Sequence, residues 1–224
     1  DRSAGVWPIG GGGRRVSGLE EDLAAARAQA QGASSVVLVE GHSDREAVLA
    51  MADRHGRDLA AEGVVVAAMG GVTNTGHFAE ALGPHGLGLP LSGLYDAAER
   101  GDVHRGLLQA GLAGKCSRSG LAARGFHECD ADLEDELIRA VGTQRLLELV
   151  QAEGEGRGFA TFRRQPAQRD RPLHACLHRF IGTRSGRKIR YGRLLVEALG
   201  PNPAPEPLEA LLHGLGTRVR NADV

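Results

Sequence analysis

The sequence feature that most constrains the fold is the stretch Val36-Val37-Leu38-Val39-Glu40-Gly41-His42-Ser43-Asp44. Its four consecutive apolar residues, three of them β-branched, predict a short strand buried on both faces, as in a parallel sheet. Ser43 and Asp44 then stand where a helix N-cap belongs. Glu40 is therefore expected at the carboxyl end of a parallel strand, the edge at which open α/β sheets place their sites.

Glu40 and Asp44 form the first candidate site. Two carboxylates at such an edge could share one hard divalent cation, because Mg²⁺ and similar ions prefer oxygen ligands. The alternative is structural, with Asp44 capping the helix and Glu40 facing solvent.

Strands and helices alternate over the first 130 residues, which predicts an α/β fold with a mostly parallel, doubly wound sheet flanked by helices. The strands are predicted at 36–39, 64–69, 88–95 and 125–129. The helices between them are predicted at 44–61, 75–82 and 102–112, and a Gly/Ser loop at 114–120. Another helix is predicted over 19–31, after a glycine-rich flexible leader at 1–17.

The pattern becomes helical after Asp130. The helices are predicted at 133–141, 143–152, 158–165, 171–182, 186–199 and 206–214. We therefore divide the chain into a leader and helix at 1–33, an α/β core at 34–130 and a C-terminal helical extension at 131–224.

The net charge of −1 hides a strong asymmetry along the chain. Residues 128–155 contain nine acids and two arginines, whereas residues 157–193 contain eleven arginines or lysines and one acid. The acidic block could help to hold cations, and the basic block could contact phosphates or nucleic acid. The alternative is that the arginines reflect a composition rich in Ala, Gly and Arg.

Several classes of protein are disfavoured by the sequence. No apolar run approaches the roughly 18 residues of a membrane span, and the first residues lack the apolar run of a signal peptide. Three cysteines without C-x-x-C spacing predict neither a disulfide framework nor a zinc site, so a reducing cytoplasm is the expected location. Gly114-Lys115-Cys116 lacks the spacing of a phosphate-binding loop, and no G-x-S-x-G motif occurs.

The third predicted strand leads to Asp96, which in a parallel sheet would share the edge that carries Glu40. Three carboxylates at two strand ends and one helix start predict a Mg²⁺ or Mn²⁺ site that would take further ligands from a phosphate substrate. An acid at a strand end also serves solubility, so Asp96 alone defines no site. His174 and His178, four residues apart without an H-E-x-x-H motif, are interpreted as core or nucleic-acid contacts.

These motifs together resemble the TOPRIM domain shared by topoisomerases, primases and overcoming-lysogenization-defect (OLD) nucleases. The resemblance begins with Val-Glu-Gly-x-x-Asp at 39–44 and continues with an Asp-x-Asp-like motif at Asp96. The segment 129–137 is similar to the acidic Asp-Leu-Glu segment of the OLD type, and 185–191 is similar to its late lysine segment. The resemblance covers about residues 34–199 and implies a Rossmann-like TOPRIM sheet, with the C-terminal helical part completing the active site.

The resemblance implies a metal-dependent nuclease that cuts or nicks DNA with one or two Mg²⁺ or Mn²⁺ ions. The implied metal ligands are Glu40, Asp44, Asp96, Asp132 and Glu134. Glu40 and Lys188 would be catalytic, with Lys188 neutralising charge on the scissile phosphate or orienting the attacking water. The alternatives are that Glu134 lies near the positive end of a helix dipole and that Lys188 is an exposed helix residue.

Two departures from the family pattern affect these expectations. Ala98 stands where the Asp-x-Asp motif has its second aspartate, and Glu99 is a candidate substitute ligand because it is one residue further on and longer. Without a substitute, the site could bind fewer ions or have lost catalysis. The phosphate-loop ATPase of longer OLD nucleases has no counterpart in this sequence, so any ATPase would be a separate chain or a removed segment.

The expected partner is DNA, with RNA and a homodimer left open and no membrane expected. The arginines expected to hold the nucleic-acid backbone are Arg184, Arg187, Arg190 and Arg193. Two alternatives remain open. One is a non-catalytic nucleic-acid-binding or regulatory module, which Ala98 would explain. The other is a TOPRIM nucleotidyl- or phosphotransferase that acts on a different substrate.

Overall fold

A four-stranded parallel sheet forms the centre of the protein, with strand order β2-β1-β3-β4. The computed structural model describes residues 13–112 and 114–222, and the side chains of residues 18–112 and 114–215. The strands are β1 (Ser35–Val39), β2 (Val64–Ala68), β3 (Leu91–Asp96) and β4 (Phe126–Cys129). This architecture confirms the predicted α/β class, with its parallel sheet flanked by helices.

Eleven helices surround the sheet within the described residues. One helix precedes β1 and four lie between successive strands. They are α1 (Gly13–Gln29), α2 (His42–Arg54), α3 (Thr75–Leu82), α4 (Arg100–Gln109) and α5 (Arg118–Ala122). Six follow the sheet: α6 (Leu133–Val141), α7 (Thr143–Ala152), α8 (Gly156–Arg163), α9 (Leu173–Gly182), α10 (Ser185–Ala198) and α11 (Glu206–Ala222). Short 3₁₀ turns lie at Val72–Asn74 and Ala97–Glu99.

The sheet separates two hydrophobic cores. In β1, Val36 and Leu38 face one core and Val37 and Val39 face the other, as the alternation of side chains along a strand requires. The first core includes apolar residues of α1, α3 and α4, and the second includes those of α2 and of α6 to α11. The helices after residue 131 therefore share their core with the sheet.

The helix and strand boundaries differ from the predictions in a few places. The helix α2 ends at Arg54 instead of residue 61, because Gly56 takes a left-handed conformation with φ of 68°. The predicted Gly/Ser loop at 114–120 contains the start of α5, where Ser117 accepts a hydrogen bond from the Gly120 N–H group. Of the predicted leader, residues 1–12 lie outside the described residues and the rest belongs to α1.

The register of the sheet brings the ends of the strands to one edge. Val39 at the end of β1 pairs with Ala68, and Asp96 at the end of β3 pairs with Cys129. Glu40 and the turn after β3 therefore emerge beside each other. Among the described helices, none combines the length and apolar character needed to cross a bilayer.

Candidate metal centre

Three carboxylates converge at this edge of the sheet. One oxygen each from Glu40, Asp96 and Glu99 lie within 4.8 Å of one another. Glu40 follows β1, Asp96 is the last residue of β3, and Glu99 closes the 3₁₀ turn after it. One oxygen of Glu99, Oε2, is buried and has no hydrogen-bond partner among the described residues. A cluster of this kind has oxygen ligands available for a hard cation.

The turn after β3 explains why Glu99, and not residue 98, joins the cluster. A 3₁₀ helix has three residues per turn, so side chains three positions apart share a face. Glu99 therefore lies on the face of Asp96, while Ala98 is exposed to solvent. Glu99 therefore supplies a carboxylate to the cluster, whereas residue 98, where the family motif has its second aspartate, does not.

An ion pair with two hydrogen bonds anchors the residue that follows this turn. Arg100 donates two hydrogen bonds to the buried Glu128 at the end of β4, at 2.6 and 2.7 Å. These hydrogen bonds from Arg100 hold the pKa of Glu128 below its ordinary value. Because Arg100 is adjacent to Glu99, the pair fixes the start of α4 and with it the direction of the Glu99 side chain.

Asp44 has the capping role that the sequence left open, and one of its oxygens is not used for it. One oxygen, Oδ2, accepts a hydrogen bond from the Gly41 N–H group at 2.9 Å, which caps the first turn of α2. The other oxygen takes no part in this contact and remains available to a cation. Burial, and then the negative charge of Glu134, raises the pKa of Asp44 to about 7.

The same causes act on the carboxylates of the Glu40 cluster. Burial raises the pKa of Asp96 to about 8, and the charges of Glu99 and Asp132 add to the shift. Burial and the charge of Glu40 also raise the pKa of Glu99. Like charges crowded in a partly buried site hold protons tightly because each further ionisation adds negative charge to the same poorly solvated space. A divalent ion would balance this negative charge, so the all-oxygen donor set fits Mg²⁺ or Mn²⁺.

A second group of side chains from the helical part adjoins these acids. Glu134, in the first turn of α6, is only 3% exposed. The Lys188 Nζ atom lies 3.1 Å from its Oε1 atom. Burial would lower the pKa of Lys188, but the charges of Glu134, Asp44 and Glu40 outweigh it and raise the pKa. Lys188 therefore stays charged, and its ammonium group is held near both acidic groups.

Asp132 caps α6 and is held by a histidine. Its Oδ1 atom accepts the Asp135 N–H group at 2.7 Å, and its Oδ2 atom accepts a hydrogen bond from His178 Nε2 at 2.8 Å. Burial alone would raise the pKa of Asp132, but the hydrogen bonds from His178 and from the Asp135 N–H group, together with nearby positive charge, lower it. The same contact raises the pKa of His178. His178 thus fixes the orientation of a predicted metal ligand.

A glycine sets the distance between α10, which carries Lys188, and the start of α2. A Cβ atom built on Gly192 would lie 2.2 Å from the Ser43 carbonyl oxygen. Only glycine allows this approach. Lys188 lies four residues before Gly192 and so on the same face of α10, which directs it toward Asp44.

The four arginines predicted to bind nucleic acid divide into two kinds. Arg187 and Arg190 form ion pairs with Glu155, and Arg193 contacts Asp53 at 2.9 Å. Arg184 is exposed and forms no ion pair with the described residues. Three of the four therefore already have acidic partners within the fold.

The predicted ligands lie close enough to interact. The charges of Asp132, Asp44 and Glu40 all contribute to the raised pKa of Asp96. Two residues with a role in the site were not assigned to it from the sequence. Arg100 carries no motif signal. The sequence marks His178 only as one of a pair with His174. Its contact with Asp132 joins residues 46 positions apart, so local spacing does not reveal it.

Comparison with known proteins finds a similar domain family and similar folds. Residues 33–97 match the family model of the overcoming lysogenization defect protein-like TOPRIM domain. The C-terminal region of the Xanthomonas campestris pv. campestris OLD protein superposes with a TM-score of 0.63 at 24% identity, covering 87% of this chain and 98% of that one. The C-terminal region of the Burkholderia pseudomallei OLD protein gives a TM-score of 0.60 at 20% identity, covering 86% and 99%. No curated protein matches the chain.

Proposed function

We propose that the protein is a nuclease that hydrolyses DNA phosphodiester bonds with Mg²⁺ or Mn²⁺, because residues 33–97 match the family model of the OLD-like TOPRIM domain. The observation that carries the proposal is the convergence of Glu40, Asp96 and Glu99 within 4.8 Å, beside a lysine that their neighbours keep charged. Acidic oxygens next to one positive side chain suit a reaction at a phosphate.

Glu40, Asp96 and Glu99 would hold the first ion, with Asp44 contributing its free oxygen. When bound, the ion would lower the pKa of a water molecule and polarise the phosphate. The crowded carboxylates favour the ion because it replaces the protons that they otherwise retain. Asp132 and Glu134 would serve a second ion, and His178 would keep Asp132 in the orientation for it.

Lys188 would act on the substrate itself. Its ammonium group is within reach of Glu134 and stays charged through the surrounding acids. A compact charge at this place would neutralise a non-bridging oxygen of the scissile phosphate as negative charge builds up. Glu134 would hold the ammonium group in position until the phosphate arrives.

The second candidate is a module that binds nucleic acid without cutting it. The observation that favours it is the exposed Ala98, because the cluster relies on Glu99 in a shifted position. In that case the acids would bind an ion, but the ion would not be placed for hydrolysis. A transferase acting on nucleotides would instead yield a joined product.

The test is a plasmid-nicking assay with Mg²⁺ or Mn²⁺ and supercoiled DNA. Glu40→Gln and Lys188→Met should each reduce nicking at least about a hundredfold. The matched controls are Glu80→Gln, which removes an exposed acid of α3, and Lys115→Met, which removes the other lysine of the chain. Nicking that is unchanged in both site variants contradicts the assignment. DNA binding without nicking at any metal concentration supports the binding module instead.

A further inference from the structure

Two adjoining cavities extend from the acidic site across the helical part. The first has a volume of about 480 Å³ and is lined by Glu134 and Lys188 at one end. The second has a volume of about 610 Å³ and leads away from the site between α8 and the start of α10. Phe162 and Thr183 line both cavities, so the two lie side by side at the Phe162 ring, and we refer to the pair as the groove.

Three arginines of the groove have no acidic partner among the described residues. Arg179 lines the first cavity, and Arg157 and Arg184 line the second. All three are exposed, and none forms an ion pair within the described part of the chain. An arginine that lacks an internal partner keeps its full attraction for an external anion, whereas Arg187 and Arg190 are already held by Glu155.

Phe162 presents a rigid aromatic ring at the middle of the groove. The ring packs against Phe180 with centroids 5.6 Å apart, and Phe180 is covered on another side by the Arg187 guanidinium at 3.9 Å. Phe162 itself remains half-buried. A fixed ring with an accessible surface, placed between arginines, is the arrangement that binds unpaired bases by stacking and their phosphates by charge.

We propose that this groove, lined by Arg157, Phe162, Arg179 and Arg184, binds a single-stranded segment of nucleic acid next to the scissile phosphate. A base would stack on Phe162, and the flanking phosphates would contact the arginines. The inference rests on the proposed function, because the strand must enter the acidic site at Lys188 if its phosphate is to be cut there. It goes beyond that function by specifying single-stranded character and the residues that select it.

The test measures binding separately from cleavage. A fluorescein-labelled oligothymidylate is titrated with the Glu40→Gln protein in the absence of divalent ions, and anisotropy gives the affinity. Phe162→Leu, which keeps the apolar packing on Phe180 but removes the aromatic face, should weaken binding about tenfold. Urea unfolding of this variant verifies that the fold is retained.

The arginines are tested by the salt dependence of the same titration. A plot of the logarithm of the binding constant against the logarithm of salt concentration has a negative slope. The double variant Arg157→Gln/Arg184→Gln should make this slope less steep by about 1.4, because two phosphate contacts are lost. Its control is the double variant Arg105→Gln/Arg145→Gln, which removes the same charge from exposed arginines outside the groove. This control should leave the slope and the affinity unchanged.

The outcomes separate this inference from the proposed function. Weaker oligothymidylate binding by Phe162→Leu, with unchanged binding of blunt duplex DNA, supports the groove even if the wild-type protein never nicks DNA. Equal losses for oligothymidylate and duplex overturn the single-strand specificity. Wild-type affinity in both groove variants overturns the groove, even if the protein is an active nuclease.

Discussion

Gly192 lies directly against the carbonyl group of Ser43, where a Cβ atom would come within 2.2 Å of the oxygen. This contact joins the middle of α10 to the first turn of α2, and these are the two elements that supply Lys188 and Asp44. Direct backbone packing therefore sets the distance between the two helices from which the Lys188 and Asp44 side chains extend.

The first prediction concerns this contact. Gly192→Ala should push α10 away from α2 and destabilise the protein by about 1–3 kcal/mol, because the added methyl group meets a backbone atom. Nicking should fall more than the loss of folded protein explains. The measurements are urea unfolding and plasmid nicking at a temperature at which the variant remains folded.

Gly186 offers the matched control, because a Cβ atom there meets nothing within 4 Å. Gly186→Ala should leave nicking unchanged and raise stability by up to about 1 kcal/mol through its better helix propensity. Equal behaviour of the two variants would mean that the approach to Ser43 does not position Lys188.

The second prediction concerns the shifted carboxylate. Glu99→Gln should weaken Mn²⁺ binding roughly tenfold, because affinity at such sites follows the number of charged ligands. Adding Ala98→Asp to that variant should not restore binding, since residue 98 faces solvent. Isothermal titration calorimetry measures both. Asp102→Asn, whose carboxylate contacts Arg105 at 2.6 Å, is the control and should bind Mn²⁺ almost normally.

The third prediction is a pH dependence of stability in the absence of metal. The folded pKa values of Asp44 and Asp96 are raised to about 7 and about 8, whereas unfolded aspartates titrate near 3.9. The folded state then holds protons that the unfolded state has released. The resulting stability is full below the unfolded pKa and is lost as pH rises through the folded values.

In EDTA, the melting temperature should therefore fall between about pH 5 and pH 8. Mg²⁺ should remove most of this slope because the ion replaces the protons. Scanning calorimetry over this range, with and without Mg²⁺, makes the comparison. Asp44→Asn should have a shallower slope in EDTA, and an equally steep one would show that other groups cause it.

The fourth prediction concerns His178. His178→Leu should raise the Mg²⁺ concentration needed for half-maximal nicking by roughly 10- to 100-fold, as loss of an outer-shell partner usually does. His178→Gln, which can still donate a hydrogen bond to Asp132, should lose less. His174→Leu removes a similar contact to Asp135, at 2.5 Å, and should change little. An equal effect at both histidines would indicate a general loss of stability.

The fold could largely be predicted from the sequence because β1 and β2 are short apolar runs, followed by Glu40-Gly41 and by Gly70-Gly71. The bounds of α6 and α7 coincide with the predicted 133–141 and 143–152, since Asp132 and Gly142 delimit them locally. The end of α2 was missed because Gly56 stops the helix through its backbone conformation, in a stretch whose polarity still suits a helix.

The sequence predicts the site only for residues that follow the ends of strands. Parallel strands bring Glu40 and Asp96 to one edge whatever the loops do. The direction of Glu99 depends on a single 3₁₀ turn, and strand periodicity carries no information about it. Likewise, the partners of Arg187 and Arg193 are Glu155, just before α8, and Asp53 on α2, so a sequence rich in arginine could not reveal which cations are already neutralised.

The position of Lys188 in α10 has a consequence for how the protein is made. A ribosome releases the sheet and its carboxylates well before it releases α10, and N-terminal units fold first during synthesis. The nascent chain would then hold the acids without their lysine. For the proposed nuclease, hydrolysis would begin only after α10 docks on α2, so the growing polypeptide would not cut nearby nucleic acid until α10 has been made.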